Sequence, residues 1–191
     1  MTSAIQTLTL EAFLHLPNIE ESPAWEFIDG EMLQKPMPTT HHSILQKRLV
    51  AAIDRAESQY EAFPELRCVL SQQSVVPDVA VILNQRVPSE NRPVQGAPDW
   101  IIEILSPDQS TTKLIAKIQT CLLEGAQLGW LLDSTEGVVM VFWSDASIAG
   151  LPLQARPLAI ISGETVVPVL PGIDLQITAK QIFDWLQPRR G

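Results

Sequence analysis

Short, nearly unbroken apolar runs from Val75 to Leu83 and from Asp99 to Leu105 have strand length, and both read as buried strands. Trp25 to Lys35 reads as a hairpin turning at Asp29-Gly30, the strongest short-range hairpin signal. A two-residue turn sets Ile28 opposite Glu31 and Glu26 opposite Leu33. Those four share one face, and Trp25, Phe27 and Met32 share the other. Leu45, Leu49, Ala52, Ile53 and Ala56 recur at helical spacing, which predicts a helix from about His41 to Tyr60. Extended backwards, that stripe meets His42 rather than His41, so His42 points inward at the positive end of the helix dipole.

Thr9 to Leu14 reads as a short capped helix ending near Pro17, with further helices over about Ser110 to Glu124 and Thr178 to Leu186. Trp130 to Asp133 and Val138 to Trp143 read as a second hairpin. Asn84 to Pro98, with three prolines and two arginines, is long for a hairpin connection and reads as a functional loop. The pattern predicts one α/β domain of 191 residues, with a core from about 7 to 186 and a mixed sheet flanked by helices.

Composition narrows the function classes. No apolar run is long enough to span a bilayer, and the first six residues lack the pattern of a signal peptide. Two cysteines, Cys68 and Cys121, give neither a disulfide framework nor zinc spacing, so a reduced cytoplasmic setting is expected. The net charge of −9 argues against a broadly basic nucleic-acid surface. A local basic groove from Arg86, Arg92, Lys113, Lys117 and Lys47-Arg48 stays open. The five tryptophans read as core and sheet-face residues rather than base-stacking platforms.

Candidate chemistry comes from acids in apolar surroundings. Glu103 lies inside the run Trp100-Ile101-Ile102-Glu103-Ile104-Leu105, and Asp78 opens Asp78-Val79-Ala80-Val81-Ile82-Leu83. An unpaired buried carboxylate costs several kcal/mol (~3–5), so such groups are paired, hydrogen-bonded or metal-bound. On neighbouring strands, Asp78 and Glu103 offer Mg²⁺ a hard-oxygen site, with the Ile104 carbonyl as a further ligand. On the following helix Lys117 borders the apolar face of Leu114, Ile118 and Leu122 more closely than Lys113, and is the better candidate to reach inward. Structural roles compete: Asp78 could cap backbone amides, Lys117 a surface pair, His42 a helix start, and Glu31 a solvated turn.

Glu26-Phe27-Ile28-Asp29-Gly30-Glu31, His42, Pro77-Asp78-Val79-Ala80-Val81 and Pro98 to Pro107 resemble the landmarks of a restriction-endonuclease-like family long catalogued as a domain of unknown function. Lys117, Gly125 and Gly129-Trp130-Leu131-Leu132-Asp133 continue the pattern in order, and the resemblance spans roughly Thr7 to Leu186. The family is similar to the PD-(D/E)XK nuclease superfamily, a mixed sheet flanked by helices. The resemblance implies Asp78 and Glu103 as metal ligands for Mg²⁺ or Mn²⁺. Glu26 joins the metal shell directly or through water, Lys117 stabilises transition-state charge, and His42 orients phosphate or water. Leu105 stands where the superfamily places a lysine, and Lys117 occupies the position to which the family moves it. The implied function is metal-dependent phosphodiester hydrolysis in DNA, with a homodimer as one arrangement. The alternative is a nuclease-fold interaction module without catalysis.

Overall fold

The computed structural model describes residues 8–107, 109–144 and 158–187; the opening six residues, read above as lacking a signal peptide, lie outside them. The chain forms two mixed sheets flanked by helices. The smaller sheet has the order β2-β1-β5-β4-β7 and contains β1 (Trp25–Ile28), β2 (Glu31–Gln34), β4 (Cys68–Val69), β5 (Ser74–Val75) and β7 (Val94–Gln95). The larger has the order β11-β10-β9-β8-β6-β3. Its strands are β3 (Tyr60–Pro64), β6 (Val79–Leu83), β8 (Trp100–Ile104), β9 (Leu128–Asp133), β10 (Val138–Trp143) and β11 (Leu158–Ser162). The helices are α1 (Leu10–Leu14), α2 (Thr40–Asp54), α3 (Thr111–Leu123) and α4 (Ala179–Asp184).

Period-two alternation splits the apolar residues of the larger sheet between two cores. Val79, Val81, Trp100, Ile102 and Ile104 pack with Leu45, Leu49 and Ile53 of α2 and Ile182 of α4. Ala80, Ile82, Ile101 and Leu131 pack with Leu114, Ile118 and Leu122 of α3 and with Cys68, Val75 and Val94 of the smaller sheet. The β8–α3–β9 unit is the parallel part of the larger sheet, with Trp100 paired to Leu128 and Ile104 to Leu132. Trp100 meets Trp130 edge-on at 4.5 Å inside the first core.

Two expectations need correction. The run from Val75 to Leu83 is two strands, because Pro77 has no N–H to give a ladder and the chain crosses there from the smaller sheet to the larger. The helix read as far as Tyr60 ends at Asp54, whose carboxylate accepts a hydrogen bond from the Ala62 N–H at 2.9 Å. The chain then turns through Glu57 at φ +46° and returns as edge strand β3. The Asn84 to Pro98 loop contains a 3₁₀ turn (Asn84–Arg86) and β7, which pairs in parallel with β4. Among the described residues no helix is long and apolar enough to cross a membrane.

Candidate active site

The crossing at Pro77 delivers Asp78 to the start of β6. Val79 pairs with Ile102 and Ala80 with Ile101, so extending the register by one pair brings Asp78 beside Glu103. Glu103 falls on the α3 side of the sheet with Ile101, whereas Asp78, just ahead of β6, meets His42 of α2 and the Ile104 N–H. Both acids are almost fully buried, Asp78 at 2% and Glu103 at 1% exposure.

Asp78 is heavily partnered. Its Oδ1 accepts from Lys35 Nζ at 2.7 Å; its Oδ2 accepts from the Ile104 backbone N–H at 2.7 Å and lies 3.1 Å from His42 Nε2. Gln46, one helical turn beyond His42, donates to the Asp78 carbonyl at 2.9 Å. Burial alone would push the Asp78 carboxyl up; Lys35, then His42, hold it well below the usual carboxylate range.

Glu103 has the opposite balance. Burial pushes its carboxyl up to about 7, against Lys117, which lowers it, and with Asp78, which raises it. Lys117 Nζ lies 2.7 Å from Glu103 Oε1, an ion pair between two buried groups. Lys117 also pairs with Glu26 Oε1 at 2.6 Å and donates to the Val76 carbonyl at 3.3 Å. Burial disfavours its charge, but Glu103 and then Glu26 overcome that and raise its affinity for the proton. Glu26 Oε1 is fixed by the Val76 N–H at 2.6 Å. Gly129 lets α3 seat this close: a Cβ there would lie 2.4 Å from Ile118 Cγ2, next along the chain from Lys117.

The structure thus brings together Asp78, Glu103, Lys117, Glu26 and His42. Ile104 contributes its N–H to Asp78. Glu31 is exposed at the hairpin and stands outside the cluster, and Leu105 packs into the α3-side core. Two cluster members were not expected. Lys35 follows β2, is buried, and bridges Asp78 and the Val76 carbonyl at 2.8 Å. Alternation from Leu33 already puts Lys35 on the Glu26 face, and Gln46 is four residues from His42; both signals are in the sequence. The groups considered for one basic groove separate into three places. Lys113 and Lys117 line the cleft of the acids; Lys47 and Arg48 lie on α2, near Arg55 at its C-terminal cap; Arg86 ends the 3₁₀ turn, with Arg92 nearby. Burial pushes the Cys68 thiol up to about 12 and raises that of Cys121 as well, which leaves neither nucleophilic.

A cleft of about 360 Å³ opens on the cluster, walled by Glu26, Glu103, Lys35, Lys113, Lys117 and Ser110 among others. Asp78 and His42 are not among its walls; Lys35 is, and it reaches back to Asp78. Among the described residues no three His, Cys, Asp or Glu side chains form a ready-made metal cage. Mg²⁺ does not need one, since it commonly takes one or two carboxylates with waters and substrate phosphate. The hard-oxygen donors Glu26, Asp78 and Glu103 suit such an ion, which would compete with Lys35 and Lys117 for them. With all carboxyls ionised and His42 neutral, Glu26, Asp78 and Glu103 exceed Lys35 and Lys117 by one negative charge.

The sequence profile of the family described as "Uma2: Putative restriction endonuclease" matches residues 10–178. The fold is similar to the crystal structure of "a putative nuclease belonging to DUF820 from Anabaena variabilis ATCC 29413". The two share 37% identity with a TM-score of 0.82, over 94% of this chain and 99% of that one. No curated protein matches the chain.

Proposed function

The chain belongs to the Uma2 family of nuclease-like proteins, and from that premise we propose that it is a metal-dependent phosphodiester hydrolase acting on DNA. The observation that carries this reading is the buried acid pair Asp78 and Glu103, brought next to each other by adjacent strands with the ammonium groups of Lys35 and Lys117 on them. Asp78 and Glu103 would hold Mg²⁺ or Mn²⁺, with the Ile104 carbonyl and Glu26 as further ligands. When bound, such an ion lowers the pKa of a water and polarises the phosphate.

The chain's own groups supply the rest. Lys117 keeps its charge in the buried site and stabilises negative charge developing on phosphate oxygens that enter the cleft. His42 backs Asp78 through Nε2 and would orient a phosphate or water through that carboxylate. Lys113, exposed at the cleft, meets the DNA backbone. Two strands require two cuts, so a homodimer belongs to the same proposal.

The test is nicking of supercoiled plasmid with added Mg²⁺ or Mn²⁺. Native protein should nick only with the ion, and Glu103→Ala, checked for folding by circular dichroism, should not. Equal cleavage by that variant would remove the acid pair from the chemistry. A second reading, a binding module without catalysis, draws on the ammonium groups already held within 2.7 Å of each acid and on Leu105 at the usual lysine position. Calorimetry separates the two: no binding of either ion at millimolar concentration favours the module.

A further inference from the structure

Lys35 lines the cleft, and Asp78, which it contacts at 2.7 Å, does not. An ion entering from the cleft meets Glu103 directly but reaches Asp78 only where Lys35 now sits. An ammonium and a divalent cation compete for the same carboxylate oxygens, and their mutual repulsion at about 4 Å is on the order of 4 kcal/mol or more per pair of unit charges. Binding of the ion at Asp78 therefore favours departure of Lys35. It has somewhere to go: Glu65 Oε1 is 3.9 Å from its Nζ, on an exposed side chain. Glu65 is itself anchored to the site, because its backbone N–H donates to the Asp78 carbonyl at 3.3 Å. The alternative acceptor is thus held beside the first one.

We propose that Lys35 is a displaceable ammonium gate, which covers Asp78 in the ion-free protein and passes to Glu65 when a divalent cation binds. The proposal rests on the metal-dependent reading and adds its regulation. Charge compensation by Lys35 keeps the ion-free site folded, since a buried acid pair stripped of one partner is strongly destabilised. The same compensation weakens ion binding, because the ion must first displace a paired group. Lys117 differs. It is shared by Glu26, Glu103 and the Val76 carbonyl, and no further carboxylate pairs with it among the described residues.

Two measurements on the whole chain test this, and neither reads activity. The first is acylation of lysine amines in native protein, followed residue by residue by mass spectrometry. Lys35 should be protected without metal and several-fold (about fivefold or more) more reactive with saturating Mn²⁺, while Lys117 stays protected. The second is Mn²⁺ calorimetry. Lys35→Met should bind about tenfold tighter than native protein, and Glu65→Gln about threefold weaker, shifts typical of coupled equilibria. Glu65→Gln is an exposed change and guards against a Lys35→Met protein that fails to fold. If native protein binds Mn²⁺ but Lys35 reactivity is unchanged, or Lys35→Met binds no tighter, the gate is overturned and the hydrolase reading stands. If neither native protein nor Lys35→Met binds Mn²⁺, both fall together. Binding by Lys35→Met alone would support a gate that stays shut in the native chain.

Discussion

Glu103 and Asp78 are chemically alike and lie side by side, yet their partners drive their proton affinities apart. Asp78 has an ammonium, an imidazole and a backbone N–H; Glu103 has one ammonium, which it shares with Glu26. The consequence for stability differs in sign. Glu103, raised from an ordinary 4.5 to about 7, keeps its proton longer folded than unfolded. Its contribution is therefore favourable at low pH, declines as pH climbs from about 4.5, and is spent above about 7. Asp78, depressed when folded, contributes stability that is present above the ordinary carboxylate range and is lost as pH falls below it. In metal-free buffer, Glu103→Gln should gain on native protein between pH 5 and pH 8 by on the order of 3 kcal/mol in denaturant unfolding. Asp78→Asn should lose most at neutral pH and converge with native protein in acid. A Glu103→Gln difference that stays flat from pH 5 to 8 would contradict the burial account. The acids themselves were legible, because a carboxylate in an apolar strand is costly enough to demand an explanation. Lys35 was not read as a site residue because it stands at the end of a hairpin, where a lysine is usually solvated; only the tertiary meeting with Asp78 buries it.

Among the elements, α3 positions Lys117, and its depth depends on Gly129 in β9. With Ile118 Cγ2 only 2.4 Å from a Cβ at that position, Gly129→Ala must push the helix outward or distort the strand. The expected loss is about 1–3 kcal/mol in denaturant unfolding, as for other overpacked cores. Mn²⁺ binding should tighten with it, because Lys117 drawn back from Glu103 no longer competes with the ion for that oxygen. At the other end of the chain, Thr178 and Gln181 form a reciprocal capping box on α4, so Thr178→Ala should cost about 1 kcal/mol with no change in ion binding. Legibility followed periodicity. The β1–β2 hairpin register, α3, the β9–β10 hairpin and α4 each carry a strong local signal and were read to within a few residues. β4, β5 and β7 span two residues each, too short for alternation to register, and exist because Cys68–Val69 finds partners on both sides. α2 was read too long because Ala56 keeps helical spacing and still packs on the core, while the positive φ at Glu57 that reverses the chain leaves no hydrophobic mark. The break at Pro77 was the most consequential omission, since it makes one apparent strand serve two sheets and sets Asp78 at their junction.

At the scale of the whole molecule, the site exists only while both sheets are packed. Glu26 comes from the smaller sheet, Asp78 and Glu103 from the larger, Lys117 from α3 and His42 from α2. Charge sets how such a molecule could hold DNA. The chain carries a net −9, and its basic groups are dispersed, with Lys47 and Arg48 on α2 and Arg55 at its C-terminal cap, Arg86 at the end of the 3₁₀ turn with Arg92 nearby, and Lys113 alone exposed at the cleft among the groups discussed. Arg86 is further committed to Asp99 at 2.9 Å. Binding through the cleft should therefore rest on few phosphate contacts, and each contributes about 0.9 to the slope of log affinity against log salt. The expected slope is shallow, on the order of −2 to −4, with correspondingly weak affinity at physiological salt. Lys113→Ala should make the slope shallower by about 1 and leave thermal stability within about 0.5 kcal/mol, because the residue is exposed and supports no buried contact. Fluorescence anisotropy of a labelled duplex over a salt series measures this, with Ca²⁺ in place of Mg²⁺ to suppress turnover. A steep slope indifferent to Lys113 would mean that DNA lies across the α2 basic groups instead. The same series on a triple Lys47, Arg48 and Arg55 alanine variant would then collapse the slope and locate the contact.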